Sequence, residues 1–172
     1  MKKILLATIF VVTIALATNA QHYAVIDTKY ILEKLKDYKD ADKKIQNTAE
    51  QWQKELDDMQ AELDKMYKNY DAEQYMLTDE LKKKREAELF NKEKDLRELQ
   101  KKRFGYEGDL FKERQKLVKP IQDKVFNAIQ KLAVAKSWDF VLDKSEGITV
   151  IFADPKLDKS EDVLRELRVT GN

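Results

Sequence analysis

Between residues 38 and 75 the apolar side chains fall at Tyr38, Ala41, Ile45, Ala49, Trp52, Leu56, Met59, Leu63, Met66 and Tyr70. Spacings of three and four residues, with one extra residue near Ile45, are those of a heptad, so this stretch predicts a long helix with a single narrow apolar seam. At 1.5 Å per residue it would reach roughly 55 Å, more than a compact domain of this size can cover. The seam breaks at Tyr75-Met76-Leu77-Thr78-Asp79-Glu80. Thr78 can cap a new helix there, and Asp79 and Glu80 suit its positive N-terminal end. A second limb then begins with a nearly all-charged stretch, Lys82 to Asp95. It recovers a seam at Leu96, Leu99, Arg103, Tyr106, Leu110, Arg114, Leu117, Ile121, Val125, Ala128, Leu132 and Ala135. Two helical limbs joined by a short turn run antiparallel and bury their seams on each other. The prediction is a hairpin arm over residues 38–117 with its tip near 75–80.

Strand formers bracket the arm. His22-Tyr23-Ala24-Val25-Ile26-Asp27 reads as a short strand that ends at a capping aspartate, followed by an amphipathic turn or two with Tyr30, Ile31 and Leu35. At the other end Trp138 to Asp143 alternates, Lys144 to Gly147 reads as a turn, and Ile148 to Phe152 as the second strand of a hairpin. Asp154-Pro155 stops it, and Ser160-Glu161-Asp162 opens a short helix with Val163, Leu164 and Leu167 inward. The fold class is therefore α+β and mostly α, with a β-containing body from residues 21–37 and 118–172. Three short strands are marginal alone. The side chains of Tyr23, Val25, Trp138, Phe140, Leu142, Ile148, Val150 and Phe152 are thus expected to complete the body by oligomerisation.

Residues 1–20 do not belong to this pattern. Lys2 and Lys3 precede an apolar run from Ile4 to Leu16 and a small-residue end, Ala17-Thr18-Asn19-Ala20. That is the layout of a signal peptide cleaved near Ala20, and the run is shorter than the roughly 20 residues a spanning helix needs. Charged residues make up 38% of the chain, with only 4 Gly and 2 Pro, a composition of long helices. Without Lys2 and Lys3 the chain has 31 basic and 32 acidic residues, which argues against a general polyanion or nucleic-acid binder. Charge is nonetheless unevenly placed: residues 37–73 carry eleven acids against six lysines, and residues 81–103 ten bases against five acids. An acidic limb opposite a basic one favours their pairing. With no cysteine, one histidine (His22) and no Gly-rich phosphate loop, the sequence holds no catalytic, metal-binding or cofactor-binding constellation.

The body segments carry a family likeness. Arg114-Gln115-Lys116-Leu117-Val118-Lys119-Pro120-Ile121-Gln122, then Ala128-Ile129, Val134-Ala135-Lys136 and Phe140-Val141-Leu142-Asp143, together with Ala24-Val25-Ile26-Asp27, resemble the Skp/OmpH-like periplasmic chaperones over essentially the whole mature chain. The resemblance implies a jellyfish-like homotrimer whose helical hairpins enclose a cavity. It also implies an ATP-independent periplasmic holdase for unfolded outer-membrane β-barrel proteins. Well-known members are strongly basic, whereas this chain is near neutral, so any electrostatic capture of lipopolysaccharide or a membrane surface is confined to Lys82, Lys83, Lys84, Arg85, Lys101, Lys102 and Arg103.

Client contacts are expected from adaptable thioethers and amphipathic rings on the arm: Met59, Met66, Tyr67, Tyr70, Tyr75, Met76 and Phe90. Gly105, Gly108 and Pro120 lie inside a helical pattern and mark a candidate hinge. A structural coiled-coil spacer between envelope layers is the alternative function, since it would share the heptads.

Overall fold

The computed structural model describes residues 21–145 and 150–170. The elements run β1 (Tyr23–Ile26), α1 (Thr28–Lys34), α2 (Lys36–Glu73), α3 (Asp79–Phe104), α4 (Asp109–Lys136), β2 (Phe140–Asp143), a 3-10 turn (Pro155–Leu157) and α5 (Ser160–Thr170). The chain divides into two compact units. One comprises the residues up to Ile31 and from Val125 onward, the other Leu32–Lys124. The predicted leader, residues 1–20, lies outside the described residues.

In the first unit everything is organised on β1. Ala24, Val25 and Ile26 are buried, with Ile31, Val125, Ala128, Val163 and Leu164. The strand ends because Asp27 caps α1, its Oδ1 accepting the Tyr30 N–H at 2.8 Å. β2 pairs with β1 in parallel, Tyr23 opposite Phe140 and Ile26 opposite Asp143. Each end of that register is tied. Asp139 N–H donates to the His22 carbonyl at 2.8 Å and Lys144 N–H to the Ile26 carbonyl at 2.8 Å, while His22 N–H donates to Asp139 Oδ2 at 2.7 Å. The opposite edge of β1 is taken too, by Lys159 N–H on the Val25 carbonyl at 2.8 Å and by Asp27 N–H on Ser160 Oγ at 2.9 Å.

This arrangement corrects the expected C-terminal hairpin. Trp138 and Asp139 precede β2, β2 pairs with β1, and residues 150–152 have no strand structure. Residues 146–149, including Ile148, lie outside the described residues. The physical reason is burial: β1, with Ala24, Val25 and Ile26 inside the core, offers β2 a partner already anchored among apolar side chains. Ser160 opens α5 as expected: Asp158 Oδ1 accepts its N–H at 2.9 Å, and its buried hydroxyl accepts the Asp27 N–H.

The second unit is built on the seam. All ten seam residues expected on α2 are buried or half-buried, with Ala41, Ile45, Leu56 and Leu63 nearly inaccessible. Ion pairs read out an antiparallel register: Asp37–Lys124 at 3.3 Å, Asp42–Arg114 at 3.7 Å, Glu55–Arg103 at 3.2 Å and Glu62–Lys92 at 2.6 Å. In each of these the acid sits on the first limb and the base on the second, in keeping with the uneven charge, while Lys44–Glu113 at 3.7 Å runs the other way. Thr78 caps α3 as expected, its Oγ1 accepting the Leu81 N–H at 3.4 Å.

The second limb departs from expectation in one respect: it is two helices, broken between Phe104 and Asp109. Gly105 leaves helical geometry at φ −68° and ψ 175°, and Glu107 takes a left-handed φ of 51°. Gly105 N–H closes on the Lys101 carbonyl at 2.8 Å and Gly108 N–H on the Gly105 carbonyl at 2.9 Å. A Cβ on Gly105 would stand 2.3 Å from the Lys101 carbonyl oxygen, and one on Gly108 2.8 Å from that of Lys102, so close approach of main chain to main chain demands both glycines. The break shifts the stripe. Tyr106, Arg114 and Ala135 are exposed rather than in the seam, and Val118 is buried. Pro120 remains inside α4. Leu89, within the stretch that reads as nearly all charged, is buried.

Two carboxylates of the first unit depend on folding. Partial burial alone would raise the pKa of Asp143, but hydrogen bonds from the Thr28 and Ser145 hydroxyls and N–H groups outweigh it and hold the carboxyl below its ordinary value. Asp158 is likewise lowered: burial opposes, while Lys144 Nζ at 2.7 Å and the Ser160 N–H prevail. A carboxyl depressed in the folded state gives stability that is fully present above the unfolded pKa of about 4 and is lost as pH falls through the folded value.

This architecture has measurable consequences. Lowering pH below about 4 should reduce the urea midpoint of the first unit, followed by Trp138 fluorescence in a Trp52→Phe background, and Asp143→Asn should weaken that dependence; an identical pH profile would remove the carboxylate from the account. Leu56→Ala should cost about 2–4 kcal/mol in urea unfolding whereas Glu62→Gln costs under about 1 kcal/mol, because apolar burial outweighs a solvated ion pair. Gly105→Ala should destabilise the second unit by about 1–3 kcal/mol, against the usual benefit of alanine in helical sequence; a stabilised variant would show that the break is not closed as described.

Candidate functional site

The expected arm contacts separate into two groups. Met59, Met66 and Tyr70 are half-buried seam residues. Tyr70 Oη donates to Glu86 Oε1 at 2.6 Å and Tyr67 Oη to Glu93 Oε1 at 2.5 Å, so both hydroxyls stitch the two limbs together. Those bonds raise the pKa of both tyrosines, and the Tyr67 bond lowers that of Glu93. By contrast Tyr75 is 87% exposed, Met76 80% and Phe90 60%. Leu81, which the sequence pattern does not single out, joins them at 48%. Tyr75 and Met76 lie at the turn between α2 and α3 and Leu81 in the first turn of α3, with Lys82, Lys83, Lys84 and Arg85 directly after it. A shallow cavity of about 90 Å³ lies just behind the turn, lined by Met66, Asn69, Tyr70, Glu73, Arg85 and Leu89.

Lys101 and Lys102 are solvated, but Arg103 is withdrawn from the basic surface. Its guanidinium lies 4.7 Å from the centre of the Trp52 ring and pairs with Glu55 at 3.2 Å and Asp109 at 2.9 Å. Trp52 in turn meets Phe104 edge to face, centroids 6.5 Å apart. A planar cation that stacks while forking to two carboxylates joins three helices around the break at Gly105. Arg103 is thus an internal joint of this unit.

In the first unit the expected oligomer residues differ in availability. Val25 is buried within the protomer. Tyr23 stacks on Phe140, centroids 5.8 Å apart, and both rings keep exposed area. Trp138, Leu142 and Val150 are half-buried, and Phe152 is 83% exposed. Phe152, Val150, Ile151, Val25, Tyr30 and Pro155 line a cleft of about 630 Å³ that also receives Asp27, Asp154, Asp158, Glu161 and Lys144. Tyr30 Oη donates to Glu161 Oε1 at 2.6 Å across its rim, which raises the tyrosine pKa.

Other exposed apolar side chains were not anticipated: Phe111 and Phe126 on α4, Val134 near its end, Tyr106 in the break and Ile151 beside Phe152. A signal for Phe111 and Phe126 does exist, since large rings that fall off an apolar stripe must face outward. Tyr106 could not be found that way, because it sits on the stripe of an unbroken helix. Among the described residues no group of His, Asp and Glu is arranged to hold a metal ion, and no helix is long and apolar enough to cross a membrane.

The same architecture is found in a solved structure. A candidate outer membrane chaperone (OmpH-like) from Caulobacter crescentus CB15 superposes with a TM-score of 0.71 at 17% identity, over 90% of this chain and 88% of that one. No curated protein gives a significant match. The family model described as outer membrane protein (OmpH-like) matches residues 22–167, which takes in both units from the first residues of β1 to the last helix. The chain belongs to the family of OmpH-like outer membrane proteins.

Proposed function

We propose that the chain is exported to the periplasm and acts there as an ATP-independent holdase, a chaperone that binds unfolded outer-membrane β-barrel proteins and keeps them from aggregating. Family membership supports the chaperone role, and the neighbour from Caulobacter is itself described as an outer membrane chaperone candidate. The observation that carries the reading is the arm's division of labour. Its seam consumes only a narrow stripe, leaving Tyr75, Met76, Leu81 and Phe90 in water beside a basic run. Large exposed apolar side chains on a charged surface mark an interaction site. Flexible thioethers and amphipathic rings suit partners without fixed structure, because each contact is weak and replaceable.

The exposed rings of Tyr23, Phe140 and Phe152 support self-association through the first unit, as a homotrimer in which the arms of three copies shelter one client. Val25, being internal, supports that surface from beneath. The break at Gly105 to Gly108 is the candidate place for the arm to adapt to client size, and the cluster Lys82 to Arg85 the candidate contact for lipopolysaccharide or an anionic membrane surface.

The purified processed protein should keep a urea-diluted outer-membrane β-barrel protein soluble without nucleotide, measured by light scattering. The combined variant Tyr75→Ala, Met76→Ala, Phe90→Ala should lose about tenfold in client affinity, as expected if several exposed side chains together contribute on the order of 1.4 kcal/mol, with an unchanged assembly mass. Failure to suppress scattering with the assembly intact would favour the envelope-spacer role.

A further inference from the structure

Gln21 lies where the leader meets the fold. Thr18 and Ala20 put small residues three and one positions before it, the pattern that directs a cut after Ala20. The fold takes hold one residue later: His22 gives its N–H to Asp139 Oδ2 at 2.7 Å and its carbonyl to the Asp139 N–H at 2.8 Å, and β1 begins at Tyr23. Gln21 itself is exposed, and its side-chain carbonyl oxygen accepts from the Tyr23 hydroxyl.

An amino-terminal glutamine carries its own electrophile and its own nucleophile, placed to close a five-membered ring. We propose that the exported chain begins at Gln21 and that this residue closes to pyroglutamate, an inference that rests on the export and processing proposed above. The α-amine attacks Cδ, a bond forms between the α-nitrogen and Cδ, and the bond from Cδ to Nε2 breaks. The α-nitrogen gives up a proton and the side-chain nitrogen departs as ammonia. No oxidant, reductant or cofactor enters the balance. Oε1 survives as the lactam carbonyl oxygen, and Gln21 stands before β1, outside the register in which β1 pairs with β2.

The modification has a consequence for the first unit. A free α-amine would be substantially protonated near neutral pH, with a pKa of about 7.7–8.0, whereas the lactam is neutral. Aminopeptidases that require a free α-amine are also blocked. Trimming by two residues would remove His22 and both of its hydrogen bonds to Asp139, which tie one end of the parallel register on which the unit is organised. Gln21 is therefore a protective cap for β1.

The test is intact mass and N-terminal peptide sequencing of the protein taken from the periplasm of cells producing the full chain. The expected mass is that of residues 21–172 less about 17 units, one ammonia. A first residue of Gln21 with a free amine overturns the lactam and leaves export standing. A first residue elsewhere in the exported protein likewise overturns this inference alone, and retention of Met1 in a protein that never leaves the cytoplasm overturns export itself. Gln21→Ala supplies a second readout: a broad-specificity aminopeptidase should shorten the variant and leave the parent intact, and equal shortening of both would refute the cap.

Discussion

A helix of 38 residues with one narrow apolar seam can hide that seam in water only against another helix. Everything in the second unit derives from this constraint. Each well-buried aliphatic of the seam contributes about 1.5–3 kcal/mol, while each exposed ion pair between the limbs contributes about 0–1 kcal/mol. The seam therefore supplies the stability. The charges, acidic on one limb and basic on the facing one, select the antiparallel register among those the heptad would tolerate.

The same constraint explains what is left over. A seam two residues wide per heptad cannot cover every ring in a limb, so Phe90 and Phe111 point outward, and the turn between α2 and α3 has no seam to bury Tyr75 and Met76 at all. An ordinary globular domain would enclose such side chains in a thicker core. Here a narrow core produces an apolar surface as a by-product of its own geometry, and the holdase role proposed above rests on that surface.

In the first unit β1 plays the part that the seam plays in the second. Four residues accept β2 on one edge and the Asp158–Ser160 segment on the other, so two segments far along the chain are brought to a single strand. Asp139, Asp143 and Asp158 reinforce it by accepting hydrogen bonds from neighbouring N–H and hydroxyl groups, and the lowered pKa values of Asp143 and Asp158 make their share of that support sensitive to acid. The modest length of β1 also makes its first tie, His22 to Asp139, worth protecting.

Periodicity by itself determined the arm: the α2 seam, the turn at Thr78 and the complementary limbs are consequences of spacing and charge along the chain, which are local or additive properties. The family likeness was legible as well, in the short segments around Arg114 to Gln122 and Phe140 to Asp143. Only the tertiary structure decided the rest. Strand formers at 140–143 and 150–152 look equally able to form a hairpin, and the choice of β1 as partner for the first depends on a strand more than a hundred residues away. Whether Gly105 interrupts a helix depends on the energetic balance of main-chain closure against helix continuation, with Arg103, Trp52 and Asp109 assembled around the gap. The same long-range choices set which site residues stay in water. Tyr75 and Met76 are exposed because a turn has nothing to pack against, whereas Arg103 and Val25 are withdrawn because distant segments close over them.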